Sequence, residues 1–319
     1  MKILIAEPQD FSPSVVAWLR ERAEVDLRAI GPEEVAEALR SYDVFWFRLA
    51  FHLDATVLRP GLRCRIIATP VTGIDHIDEV RCAQLGIRIV CLRGEREFLK
   101  TIRATAELTI GILLSLLRHL SAASASVRAG TWDRDAFRGR ELYGKTAGIV
   151  GCGRLGGIVA TYLLAMGMRV LTYDPDPLAE IPPGVERLTT LAAVLAQSDV
   201  ISLHVNYHPG NRGMLGTTAL AQCKPGAVLV NTSRGGLIDE AALLAALQSG
   251  HLAGAALDVV DAERTVTASH PLVSYARENA NLLLVPHIGG NTYESFTRTE
   301  QFIAERVVAA WADLPQNNS

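Results

Sequence analysis

The sequence predicts an α/β protein built from two parallel-sheet domains. Three observations carry this: short apolar runs alternate with helical patterns, the runs are apolar on both faces, and 319 residues exceed what one ordinary core holds. In order, the runs are KILIA (2–6), DVFWFR (43–48), RIIAT (65–69), IRIV (87–90), TAGIV (146–150), RVLTY (169–173), DVISL (199–203), AVLVN (227–231), GAALDV (254–259) and LLLV (282–285). Strands buried on both faces by covering helices need this continuous apolar character. A half-solvated sheet would show strict alternation instead.

Between the fourth and fifth runs, residues 104–127 carry Leu, Ile and Ala around most of a helical circumference. A helix apolar nearly all round must be buried, and we expect it between domains or at a subunit interface, the alternative being a core helix within one domain. The C-terminal LPQNNS is expected to fray.

Composition narrows the function. A formal net charge of −3 lacks the concentrated positive charge that nucleic acid or an anionic membrane surface needs, so neither is an expected partner. The longest apolar run, residues 108–117, is too short to cross a bilayer, and the N-terminal apolar stretch is too short for a signal-peptide core. The five cysteines have no CxxC spacing and an odd total, which points to a reducing cytoplasm and no metal site.

The chemistry starts where TAGIV meets Gly151-Cys152-Gly153-Arg154-Leu155-Gly156 and a helical stretch follows. In a strand–turn–helix setting the first glycine allows the tight turn. The second admits a pyrophosphate to the backbone, and the third packs helix on strand. Asp174 ends the next strand eighteen residues on (174 − 156 = 18), where a carboxylate accepts ribose hydroxyls and repels a 2′-phosphate. This favours NAD as cofactor, against a purely structural glycine turn and strand-ending Asp.

Three further segments, NTSRGG (231–236), ALDVVDAE (256–263) and PHIGG (286–290), lie at or just after predicted strand ends, the edge where open α/β sheets bind ligands. Arg234 offers a planar fork for a carboxylate. His287 is suited to proton transfer near neutrality, and Glu263 to holding that imidazole. Taken singly, each has a plain alternative: a surface ion pair, a turn histidine, a solvated loop charge. Their joint order after a dinucleotide motif favours the catalytic reading.

This ordered set, with YDP after RVLT and with VTGIDHID (71–78) and ATAELT (104–109) upstream, resembles the D-isomer-specific 2-hydroxyacid dehydrogenases, most closely the phosphoglycerate dehydrogenase branch, over nearly the whole chain. The resemblance implies hydride transfer between NAD and a small D-2-hydroxy or 2-keto acid, with Arg234 anchoring substrate, His287 as acid/base and Glu263 as its partner. It implies cofactor contacts at Thr72, Gly151, Gly153, Arg154, Leu155, Gly156, Asp174, Val205, Asn206, Thr232, Ser233, Arg234, Asp258, His287, Gly289 and Gly290. Asp258 would lie near the nicotinamide carboxamide. Substrate contacts would come from Arg48, Val71, Thr72, Gly73, Arg234 and His287. Val205-Asn206 departs from the family's usual residue-then-proline. CLRGEREFLKTIR (91–103) is longer than the corresponding loop, its charges either reaching an anionic substrate tail or forming a solvated face.

By the same resemblance, a Rossmann cofactor domain, residues 100–287, is inserted into a flavodoxin-like substrate domain formed by 1–99 and 288–319, with the active site in the cleft between them. The long helix and the arm GTWDRDAFRGREL (130–142) would make a homodimer. Rival readings on the same scaffold are an NAD(H)-sensing corepressor-like binding protein and a formate- or phosphite-type dehydrogenase.

Overall fold

A computed structural model describes residues 1–315. The chain forms two compact units, Met1–Ile102 together with the segment from Asn291 onward, and Arg103–Gly290. They divide a few residues after the expected 99/100 and 287/288. The tail LPQNNS, apart from Leu314 and Pro315, lies outside the described residues.

The first unit holds β1 (Lys2–Ile5), β2 (Glu24–Leu27), β3 (Val44–Trp46), β4 (Ile66–Ala68) and β5 (Arg88–Val90), all parallel in the order β2-β1-β3-β4-β5. Period-2 geometry sorts its side chains between two helical layers. Ile3, Ile5, Val44, Trp46, Ile66 and Ala68 join the helix Pro13–Arg20 and the terminal helix Tyr293–Ala312 on one face. Leu4, Phe45 and Ile67 face Val35, Ala38, Leu39 and Leu58 on the other. That two-sided burial is why these runs read as uniformly apolar.

The second unit holds β6 (Thr146–Val150), β7 (Arg169–Tyr173), β8 (Val185–Arg187), β9 (Val200–Leu203), β10 (Ala227–Asn231), β11 (Leu252–Leu257) and β12 (Leu282–Leu284). Their order is β12-β11-β10-β9-β6-β7-β8. The chain runs outward from β6 through β7 to β8, then returns to β9 on the other side of β6. The C-terminal ends of β6 and β9 therefore flank a topological switch point, where open α/β sheets bind ligands. All ten expected runs are strands. Sequence reading misses β2 (EVDL) and β8 (VER), edge strands that charged residues interrupt and that hold no fully buried residue, and so lack an apolar signature.

The expected single helix over 104–127 is two helices, Ala104–Leu117 and Leu120–Arg128, bent by 64° at Arg118-His119, where His119 is left-handed at φ 54°. The first buries Ala106, Thr109, Ile110, Ile112, Leu113, Leu116 and Leu117 in the core shared with β6, β7, β10 and the helix Arg154–Ala165. It thus packs as a core helix of the second unit, the alternative reading of its apolar circumference. The second helix buries none of its residues. Among the described residues no single helix is long and apolar enough to cross a membrane.

In the 91–103 segment, Glu79 pairs with Arg93, Glu97 with Lys100 and Glu95 with Arg306 of the terminal helix, while Phe98 stacks on Phe302 at 4.0 Å. The contacts of Glu79 with Arg93, Glu95 with Arg306 and Phe98 with Phe302 tie it to the first unit, and Arg93 and Lys100 already have carboxylate partners.

A buried charge joins the terminal helix to the end of β3. Glu300 is 0% exposed, accepts the Ser12 amide at 2.8 Å and pairs with Arg48 at 2.9 Å. The Arg48 guanidinium also donates to the Gln9 carbonyl and lies over the Phe296 ring at 4.3 Å. Burial holds the Glu300 carboxyl above its usual range, outweighing the arginine.

Removing one partner of a buried pair typically costs about 3–5 kcal/mol. We expect that loss for Arg48→Met in urea unfolding near pH 8, shrinking towards pH 5 as Glu300 takes up a proton and its burial costs less. The double variant R48M/E300M should recover most of the stability. A pH-independent loss, or no recovery, would show that the pair does not act as described.

Candidate functional site

The dinucleotide turn is built from close approaches. Gly151 follows β6 at φ +87°, and a Cβ there would sit 2.7 Å from Val205 and 2.9 Å from the His204 carbonyl at the end of β9. A Cβ on Gly156 would lie 2.0 Å from the Gly151 carbonyl, so only glycine lets the helix Arg154–Ala165 seat against the turn. At Gly153 a Cβ would meet nothing within 4 Å, leaving that side of the turn open. The helix starts with no side-chain cap on its first amides, and burial draws the Arg154 guanidinium below its ordinary value. Uncapped amides, an open glycine face and a cation fit a pyrophosphate. Leu155 packs its side chain into the core, leaving its backbone for any contact with the phosphates.

Asp174 lies beside that turn. Its Oδ2 accepts the Cys152 amide at 2.7 Å and its Oδ1 accepts the Asp176 amide at 2.9 Å. A carboxylate offers about four acceptor positions, so two remain for the hydroxyls of a ribose. At the end of β9, Val205 packs on the core, and the Asn206 carbonyl accepts the Asn211 side-chain amide at 2.8 Å.

His204, between Leu203 and Val205, is structural. Its Nε2 is 2.8 Å from Ser202 Oγ, and its buried Nδ1 has no partner among the described residues. The residue as a whole keeps some exposure, but its Nδ1 lies inside, and burial draws its pKa from about 6.5 down to about 4.

The catalytic candidates sit on three loops after β10, β11 and β12. Fully buried Asn231 holds the first: its Oδ1 accepts the Ser233 amide and its Nδ2 donates to the Arg234 carbonyl, both at 2.9 Å. Ser233 Oγ donates to the Leu203 carbonyl at 2.7 Å, and the Thr232 hydroxyl is taken up by Thr109 at 2.9 Å. Arg234 donates to the Ser233 carbonyl at 2.8 Å. Next to it, a Cβ on Gly235 would fall 1.9 Å from the Val260 carbonyl carbon, so the Arg234 loop lies directly on the loop that carries Glu263. Glu240 fixes that second loop by accepting the Asp261 amide at 2.7 Å.

His287 Nδ1 donates to Glu263 Oε2 at 2.7 Å. A carboxylate has no proton to give, so the hydrogen resides on Nδ1 and Nε2 is the nitrogen left for chemistry. His287 is held at φ 52°, a conformation that a β-carbon disfavours, and the source of that constraint is Asp258. This carboxylate is 1% exposed and accepts the amides of Ile288 at 2.7 Å and Gly289 at 2.8 Å, while its own carbonyl accepts the His287 amide at 2.8 Å. Burial raises the Asp258 pKa. Gly289 allows the approach, since a Cβ there would meet Asp258 Oδ2 at 2.9 Å, whereas at Gly290 a Cβ would meet nothing.

Val71, Thr72 and Gly73 follow β4 in the first unit, where the Val71 carbonyl accepts the Leu92 amide at 3.0 Å and Thr72 is exposed. Arg48 ends the neighbouring β3 with its guanidinium engaged by Glu300. Among the described residues, no cluster of three or more His, Cys, Asp or Glu could hold a metal ion.

Residues 110–289 match the model of the family described as D-isomer specific 2-hydroxyacid dehydrogenase, NAD binding domain. Over 96% of this chain and 97% of its own length, hydroxypyruvate reductase of Thermotoga maritima is 32% identical. The chain belongs to the D-isomer specific 2-hydroxyacid dehydrogenase family. D-3-phosphoglycerate dehydrogenase of Mycobacterium bovis is 36% identical over 97% of this chain, which spans 57% of that relative's length. Among solved structures, the TT0316 protein of Thermus thermophilus superposes with a TM-score of 0.86 at 32% identity, covering 100% of this chain and 99% of its own. The matched domain is an NAD-binding one, and NAD is the cofactor that the open glycine turn and Asp174 fit.

Sequence reading did not foresee the clamp that Asp258 makes on the His287 loop, the role of Glu240 or the partner of Arg48. Glu300 had a signal: it falls in the register Phe296, Glu300, Ile303, Val307 of an amphipathic helix, and an acid on an apolar stripe needs a cation.

We expect His204 to contribute to acid sensitivity. Its folded pKa is depressed, so stability is fully present above about pH 6.5 and is lost as pH falls towards 4. In thermal unfolding across that window, the parent should lose up to about 1.4 kcal/mol per pH unit more steeply than His204→Gln. Parallel curves would show that the buried imidazole is not the cause.

Proposed function

We propose that the chain is an NAD-dependent dehydrogenase for a small D-2-hydroxy acid and the corresponding 2-keto acid. The hydrogen-bonded His287–Glu263 pair, clamped by Asp258 at the C-terminal edge of the dinucleotide-binding sheet, carries this reading. The three-carbon acids in the names of its relatives, D-3-phosphoglycerate and hydroxypyruvate, set the substrate class to be tested first.

The nicotinamide, when bound, supplies or accepts the hydride at the 2-carbon. Nε2 of protonated His287 gives its proton to the developing alkoxide of the keto acid, and in oxidation neutral Nε2 removes the hydroxyl proton. Glu263 holds the ring through Nδ1 and offsets the imidazolium charge, so no reorientation is required during transfer. Arg234 places its fork on the substrate carboxylate and draws charge from the carbonyl. The second unit is the cofactor domain.

We place the protein in the cytoplasm, where its five free thiols stay reduced. It works as a homodimer: Leu120, Val127 and Trp132, exposed by 53%, 50% and 87%, give the helix after His119 and the following arm an apolar surface suited to a second copy. The double variant V127E/W132E should shift the mass measured by light scattering to that of a monomer, and an unchanged mass would reject that surface.

With 2-keto acids, phosphorylated and not, and NADH absorbance as readout, His287→Ala should lower kcat by roughly 10² to 10⁴ with NADH affinity nearly intact. Glu263→Gln keeps an acceptor for Nδ1 but loses the charge, so it should cost less. Arg234→Lys should lose most kcat/KM despite its charge, because an ammonium cannot fork a carboxylate. Full activity in the histidine variant would refute the mechanism.

A further inference from the structure

Arg187 ends the edge strand β8, opposite Thr172 of β7, and has no part in the chemistry above. Its guanidinium straddles the turn that follows β7: Nη1 donates to the Pro177 carbonyl and Nη2 to the Asp176 carbonyl, each at 2.6 Å. The same turn is tied to Asp174, whose Oδ1 accepts the Asp176 amide at 2.9 Å, and Asp176 in turn accepts the Leu178 amide at 2.9 Å. The carboxylate is therefore held on two sides, by the Cys152 amide of the glycine turn and by a loop whose carbonyls are gripped from β8.

The geometry points to Arg187 as a positioning residue for the adenosine end of the cofactor site, fixing the turn so that the free lone pairs of Asp174 meet the ribose hydroxyls. This rests on the reading of Asp174 as the ribose acceptor. A planar fork can hold two consecutive carbonyls at once, which an ammonium cannot do. The arrangement also carries a cost, since Nε of Arg187 is buried without a partner among the described residues.

The discriminating experiment compares NADH with reduced nicotinamide mononucleotide, which carries the same nicotinamide but no adenosine. In Arg187→Met, KM and the fluorescence-titrated Kd for NADH should rise about tenfold with kcat at saturation unchanged. The kcat/KM for the mononucleotide should equal the parent's. Arg187→Lys, able to reach one carbonyl at a time, should fall between. Asp174→Ala serves as the reference and should weaken NADH but not the mononucleotide. An Arg187→Met enzyme with parental NADH affinity, beside an Asp174→Ala enzyme that is weakened, would overturn the assignment. So would equal losses with both cofactors, the pattern of a general structural role. An Asp174→Ala enzyme with unaltered NADH affinity would instead remove the ribose reading itself.

Discussion

The candidate catalytic loop depends on one buried carboxylate. Asp258 ends β11 with almost no exposure, and its three hydrogen bonds to the His287, Ile288 and Gly289 backbone hold a histidine in a left-handed conformation that it would not adopt alone. Burial penalises the ionised form, and the two amide bonds to its carboxylate oxygens oppose that penalty. From this clamp the rest follows in order. The His287 backbone is set, Nδ1 meets Glu263, and Nε2 is left for a substrate.

Glycines let the other loops close on that clamp. Gly235 brings the Arg234 loop into van der Waals contact with Val260, and Gly151 does the same between the ends of β6 and β9. These close approaches place the dinucleotide turn and the Arg234 and Glu263 loops on one rim of a single sheet without side chains in between. The rim is shaped by the topology: because β9 returns to the far side of β6, a crevice opens where the glycine turn needs room.

Charges elsewhere serve the frame. In the first unit, Arg48 is turned onto Glu300 and Phe296, so the basic residue nearest the end of β3 supports the terminal helix. The extra segment before Arg103 is likewise bound to that helix through Glu95–Arg306 and Phe98–Phe302. Both look like ligand-directed charge in sequence, and both have protein partners.

The sequence by itself determined the fold class, most of the strands and the glycine turn that Asp174 adjoins, and it named Arg234, Glu263 and His287 as candidates. Apolar runs and glycine spacings are local properties, so they are legible without contacts. The strands β2 and β8 were illegible because charged residues interrupt them and none of their residues is fully buried, whereas the edges β5 and β12 keep apolar runs. The break at His119 was hidden because apolar pattern continues on both sides of it and only a backbone angle marks it. Partnerships across the chain, Asp258 with residues 287–289, Glu300 with Arg48 and Arg187 with the 176–177 carbonyls, were decided by tertiary structure alone. A buried polar group takes whichever donor or acceptor the fold brings within about 3 Å, and no spacing along the chain encodes that choice.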